Sequence, residues 1–289
     1  MSSTHIATVE VDGVRIFYRY AGAENAPTVV LLHGFPSSSH MFRNLIPQLA
    51  TKYRVIAPDL PGFGFTDVPQ TLNYQYTFEN LSKTFAAFVD ALSLQHFAIY
   101  IFDYGAPVAL RFALNHPESV AAIITQNGNA YVDGFGASFW APLEKYWATG
   151  NVEDREALRG ATTLEITKWQ YTDGSPNPEA IPPEAYFLDQ ALMDRPGNKD
   201  IQLDILYDYR TNVPLYPQFQ EYFRKSDIPV LAIWGKNDTI FIAPGAEAYQ
   251  RDVQKFELRW LDAGHFALET NEDEVAKCID NFLIKHNVF

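Results

Sequence analysis

Phe97-Ala98-Ile99-Tyr100-Ile101-Phe102-Asp103-Tyr104-Gly105-Ala106-Pro107 is the stretch on which the reading of this chain turns. A mostly apolar run ends in an acid, a Gly follows two positions later, and the amphipathic Val108-Ala109-Leu110-Arg111-Phe112-Ala113-Leu114 comes next. That order predicts a strand, a sharp turn and a helix, with Asp103 on the turn. Taken alone, an Asp before a helix reads as its N-cap. Taken as a reactive group, a carboxylate does not usefully acylate as a serine would. It can attack an sp³ carbon and become an ester whose acyl half belongs to the protein.

Working outward, the first part of the chain alternates strands and helices. Val9-Glu10-Val11 and Val14-Arg15-Ile16-Phe17-Tyr18 flank Asp12-Gly13, a hairpin signal. Pro27-Thr28-Val29-Val30-Leu31-Leu32 is a continuous apolar run, as expected of a strand covered on both faces. Strands are also expected at 54–57, 97–102 and 120–124, with helices near 41–51, 78–93 and 105–116. From 131 to 208 the chain is rich in Trp, Tyr, Pro and short helical pieces, without a convincing strand. Alternation resumes at 228–234 and 256–260, and a last helix is expected over 272–286. The pattern predicts an α/β core (1–130 and 209–289) with a mostly parallel sheet, helices on both faces, and an inserted helical cap at 131–208. Such a cap would roof a site at the carboxyl ends of the strands.

With 289 residues, 47% hydrophobic and 20% charged, the chain reads as a soluble globular protein. No apolar run reaches bilayer length, and Met1-Ser2-Ser3-Thr4-His5-Ile6-Ala7 lacks the parts of a secretory signal, so a cytoplasmic protein is expected. Single Cys278 excludes an intrachain disulfide and a Cys-rich metal site, and is expected to be a small buried hydrophobe. A net charge of −13 disfavours nucleic acid, anionic lipid surfaces and acidic substrates.

Four motifs, in order, resemble the α/β-hydrolase superfamily across nearly the whole chain: His33-Gly34-Phe35-Pro36; Asp59-Leu60-Pro61-Gly62-Phe63-Gly64; the turn at Asp103; and the pair Gly235-Lys236-Asn237-Asp238 and Gly264-His265-Phe266. The resemblance implies a triad in the order nucleophile, acid, base: Asp103, Asp238, His265. Of the seven His, only His265 lies in a Gly-His turn between a strand and the last helix. Backbone N–H groups of Phe35 and Tyr104 would form an oxyanion hole. His33 is expected to brace its loop. The stretch after the 120–124 strand, Gln126-Asn127-Gly128-Asn129, is the other place for a triad acid, but Asn carries no charge. A serine esterase is disfavoured because Ser37-Ser38-Ser39 lies in the oxyanion loop and not at the turn.

Within the superfamily an Asp nucleophile implies an epoxide hydrolase, a haloalkane dehalogenase or a haloacetate dehalogenase. The halide enzymes usually carry Trp after the nucleophile and an Asn or second Trp elsewhere, or Arg beside the nucleophile; here Tyr104 and Phe35 hold the first two places. Epoxide hydrolases use two cap tyrosines as acids. Tyr207-Asp208-Tyr209-Arg210 resembles their Tyr-Arg motif, and Trp169-Gln170-Tyr171 the surroundings of the other tyrosine more loosely. Tyr209 and Tyr171 are therefore the expected donors, with Trp140, Trp147 and Trp169 lining an apolar pocket. The expectation is a hydrolase without cofactor or metal, opening an epoxide in a small apolar or weakly polar substrate. A dehalogenase on the same triad and a non-hydrolytic ligand-binding member of the fold are the alternatives.

Overall fold

Asp12 and Gly13 both take positive φ (51° and 81°), the geometry of a tight two-residue hairpin, and they join the first two strands of the sheet. The computed structural model describes residues 3–289; Met1 and Ser2, which open the N-terminal stretch read above, lie outside the described residues. The strands are β1 (His5–Val11), β2 (Val14–Ala21), β3 (Thr28–Leu32), β4 (Arg54–Pro58), β5 (Phe97–Phe102), β6 (Val120–Gln126), β7 (Val230–Gly235) and β8 (Phe256–Leu261). Their spatial order is β1-β2-β4-β3-β5-β6-β7-β8. β2 is antiparallel to β1 and β4, and every pair from β4 to β8 is parallel.

The central strands β5, β6 and β7 are buried at every position, which is why they read as unbroken apolar runs. Alternation along β5 divides the core. Ile99 and Ile101 pack with Phe85 and Phe88 of α2 (Phe78–Ala91) and Phe112 of α3 (Gly105–Asn115). Ala98, Tyr100 and Phe102 join Leu45 and Leu49 of α1 (Leu45–Leu49) and Ile279 and Phe282 of α11 (Leu268–Lys285).

Two helices differ from the sequence pattern. The helix expected over 41–51 is a 3₁₀ turn, Ser39–Phe42, followed by the short α1. Pro47 lacks an N–H and fits only a first turn, so α1 cannot begin much before it. α11 starts earlier than expected but is kinked at Asn271 (φ −132°), so its second part begins where the pattern placed the helix. Cys278 is only partly buried, not fully.

Between β6 and β7 the described chain is helical: α4 (Ala137–Thr149), α5 (Val152–Ala157), α6 (Leu164–Thr172), α7 (Pro183–Met193), α8 (Asn198–Asp208) and α9 (Tyr216–Ser226), with short 3₁₀ turns between. A further helix, α10 (Ala243–Ala248), follows β7. The insertion is tied to the loop after β7 by an isolated bridge between Phe135 and Phe241 and by Trp140 Nε1, which donates to the Ile240 carbonyl at 2.8 Å. Among the described residues no helix is long and apolar enough to cross a membrane.

Candidate active site

Parallel strands β3, β5, β7 and β8 end on the same edge of the sheet, so the residues just after them meet there: Phe35, Asp103, Asp238 and His265. Asp103 sits on the turn between β5 and α3 with φ of 47°, a conformation costing a non-Gly residue roughly 1–2 kcal/mol. The turn holds because neighbours can come close. A Cβ on Gly34 would lie 2.3 Å from Asp103 Oδ1, and one on Gly105 2.6 Å from the Leu32 carbonyl.

Phe35 N–H donates to Asp103 Oδ1 at 2.6 Å, and the Tyr104 backbone N–H also donates to this carboxylate. The two amides expected to form an oxyanion hole thus converge on Asp103 itself. Its other oxygen, Oδ2, lies 3.8 Å from His265 Nε2. That is too far for a hydrogen bond, and Nε2 has no partner. His265 Nδ1 is 2.8 Å from Asp238 Oδ2, so the carboxylate fixes the tautomer with a lone pair on Nε2 when the ring is neutral. Asp238 Oδ1 accepts from Ile240 N–H at 2.7 Å and Oδ2 from Asn127 Nδ2 at 2.7 Å. Asn127 is the residue the sequence set aside for lacking a charge. It holds the acid in place of being it, and its own Oδ1 accepts from Gly235 N–H at 3.0 Å. His33 braces its loop: Nε2 accepts from Leu60 N–H at 2.9 Å while Nδ1 meets the Gly34 carbonyl at 3.1 Å.

Burial, only partly offset by His265 and the two amides, pushes the Asp103 carboxyl up to about 6. Burial also works against a charged His265, but Asp238 and Asp103 outweigh it and raise the imidazole above its ordinary value. The two groups hold each other's charge.

The expected donors part company. Tyr209 lies in the 3₁₀ turn after α8, fully buried, its ring 5.8 Å from Tyr104 and 4.8 Å from Trp140. Burial first, then Tyr216, then the Asp103 charge, keep its phenol strongly protonated. Its oxygen is 3.2 Å from the Tyr216 hydroxyl, which in turn lies 3.4 Å from Asn129 Nδ2. Tyr171 is instead drawn to Asp189 in α7: its hydroxyl bonds that carboxylate and its ring stacks on Phe266 at 3.7 Å. A buried acid needs a donor, and Tyr171 supplies it.

Sequence reasoning assigned only the backbone of Tyr104. Its hydroxyl is buried without a hydrogen-bond partner among the described residues, and burial first, then the Asp103 charge, raises its pKa. Its position directly after Asp103 was the available signal. Tyr216, behind Tyr209, carried none, and Asn129 was noticed only as part of the stretch that could have held a triad acid.

The tryptophans also separate. Trp169 lines a cavity of about 470 Å³ with Phe35, Phe139, Leu143, Leu158 and Glu165, between α4 and α6. Trp140 and Trp147 face another, of about 620 Å³, beside Phe135 and Arg210. Their indole N–H groups are engaged by the Ile240 and Leu206 carbonyls, at 2.8 and 2.9 Å. Among the described residues no group of three or more His, Cys, Asp or Glu is placed to hold a metal.

Comparison with known proteins agrees with this fold. Residues 27–272 match the family model described as alpha/beta hydrolase fold. An uncharacterised hydrolase of Saccharomyces cerevisiae, YNR064C, is 49% identical over 269 residues, 92% of each chain. The haloalkane dehalogenase DatA of Agrobacterium tumefaciens C58 superposes with a TM-score of 0.82 at 22% identity, covering 98% of this chain and 97% of its own. The epoxide hydrolase CorEH gives 0.79 at 22%, covering 98% and 99%. The chain belongs to the α/β-hydrolase-fold family.

Proposed function

We propose that this protein is a hydrolase that opens a neutral epoxide to a vicinal diol through an ester on Asp103. The observation that carries the reading is the division of labour at that carboxylate: the Phe35 amide holds Oδ1 and the Tyr104 amide also donates to the carboxylate, while Oδ2 stands 3.8 Å from a His265 Nε2 with no hydrogen-bond partner among the described residues.

Oδ2 attacks an oxirane carbon, the carbon–oxygen bond breaks, and the opened oxygen takes the phenolic proton of Tyr209, with the Tyr104 hydroxyl as the second donor. If Tyr216 donates to Tyr209, the Tyr209 proton is left free for this transfer. Water then adds to the ester carbonyl and gives its proton to His265. The negative charge falls on Oδ1, which the Phe35 amide already holds, with the Tyr104 amide at the same carboxyl group. Collapse expels the diol oxygen, which takes the proton from His265. Asp103 is left as the acid and returns its proton to the Tyr209 phenolate, so one water is consumed. Esterification also removes the Asp103 charge that favours imidazolium, and so frees His265 as a base when the second step needs it.

The walls of the cavity that reaches Phe35 support a neutral apolar substrate. They are mostly aliphatic and aromatic, and their one charged residue is Glu165, which would repel a carboxylate. The second reading is a haloalkane dehalogenase, because phenols can also hydrogen-bond a departing halide. Against it, Trp140 and Trp147 already give their indole N–H groups to carbonyls, and Phe35 has no side-chain donor.

The test is a single turnover in ¹⁸O-water with a panel of neutral epoxides and bromoalkanes. Diol formation with label entering Asp103 supports the proposal. Halide release with no diol moves the protein to the second reading. Saturable binding without any product would make it a non-catalytic member of the fold.

A further inference from the structure

Arg111, on the second turn of α3, is only 6% exposed, yet no carboxylate lies within 4 Å of its guanidinium among the described residues. Its Nη2 donates to Thr211 Oγ1 at 2.9 Å and Asn212 Oδ1 at 2.8 Å, which stitches α3 to the segment after Tyr209. Its Nε donates to nothing. Glu79 and Asp208 act on it only at a distance. A guanidinium stays charged at every relevant pH, and a buried charge without a counter-ion is costly.

Beside Arg111 is a cavity of about 740 Å³ between α2, α3 and α9, larger than the two lined by the tryptophans. Tyr222 and Ser226, which also line it, have buried hydroxyls without partners, and so does the Asn212 amide nitrogen nearby. Four polar groups left unsatisfied around one cavity is more than chance packing leaves in a well-made core. The stitching bonds explain one guanidinium nitrogen. They leave Nε and both hydroxyls without a role.

We propose that this cavity binds a small organic monocarboxylate, its carboxylate on Arg111 and within reach of the Tyr222 and Ser226 hydroxyls. Leu114, Pro117 and Leu215 form the wall against which its hydrocarbon part packs. The ligand carries a single charge, because Glu79 and Glu221 stand at the same cavity and would oppose a second. Both are half-exposed and paired with Lys83 and Lys225, so one charge is tolerated. The site is separate from the triad: Arg111 lies eight residues beyond Asp103, about 12 Å along the helix. It is independent of the epoxide reading.

The probe is 4-bromobenzoate, titrated calorimetrically into the full chain and soaked into its crystals, with 4-bromobenzyl alcohol as the uncharged control. The expected result is saturable binding, an anomalous bromine peak in this cavity with the carboxylate on Arg111, and much weaker binding of the alcohol. Tyr222→Phe, which removes a hydroxyl without changing shape, should weaken benzoate about tenfold. Arg111→Met should abolish binding at this position. Bromine found only near Asp103, equal binding of the alcohol, or no binding by the wild type would each overturn the proposal. So would a folded Tyr222→Phe protein with an unchanged isotherm and no peak beside Arg111.

Discussion

Asn127 Nδ2 and His265 Nδ1 meet on the same oxygen, Asp238 Oδ2, at 2.7 and 2.8 Å. An uncharged amide thus shares the lone pairs on which the imidazole depends, and holds the acid from a neighbouring strand end. Asn127→Asp would replace a donor by a second carboxylate at that oxygen. Two negative charges facing one imidazole favour its charged form. The rise of ester hydrolysis with pH, read by rapid-quench kinetics on a preformed ester, should shift upward by about one unit or more. An unmoved profile would show that Asn127 has no hold on the base.

In the proposed mechanism His265→Ala leaves the Asp103 attack without need of a base but removes the group that would activate water. The ester should accumulate to one equivalent, visible as an intact-mass increase equal to that of the epoxide, with steady-state turnover down about 10³-fold or more. Loss of activity with no adduct would mean that His265 serves the first step.

Asp103→Asn should stabilise the protein at neutral pH. The folded carboxyl is raised to about 6, above its unfolded value of about 3.9. A raised acid favours the native state below the unfolded value, and that advantage is lost as pH climbs through the folded value. Above it, the buried charge opposes folding by up to about 3 kcal/mol, the attraction of His265 being already contained in the folded value. Asn also tolerates the positive φ. Thermal midpoints should therefore be several degrees higher for the variant at pH 7.5 and converge toward pH 4. Equal midpoints at pH 7.5 would contradict the charge balance described for this site.

Tyr209→Phe and Tyr171→Phe should behave oppositely. The first removes a buried phenol that feels the Asp103 charge while keeping the ring stacked on Trp147, so epoxide opening should slow about 10²-fold with little loss of stability. The second leaves buried Asp189 without its donor, costing about 1–3 kcal/mol in a denaturant titration while opening stays within about threefold. Reversal of the two outcomes would return Tyr171 to the reaction.

The sequence by itself determined the sheet, the order of its strands along the chain and the turn beneath Asp103, because those depend on local signals. Unbroken apolar runs mark strands covered on both faces, and Asp12-Gly13 marks a hairpin. It also ordered Asp103, Asp238 and His265 after the ends of their strands, where a parallel sheet must bring them together. Only the tertiary structure decided the surroundings. Whether the Tyr171 hydroxyl is free or held by another side chain, and whether the Trp140 indole is free, depends on how short helices pack over the core. That packing is a matter of partners distant in the chain, such as Asp189 for Tyr171 and the Ile240 carbonyl for Trp140, and periodicity along a helix carries no record of them.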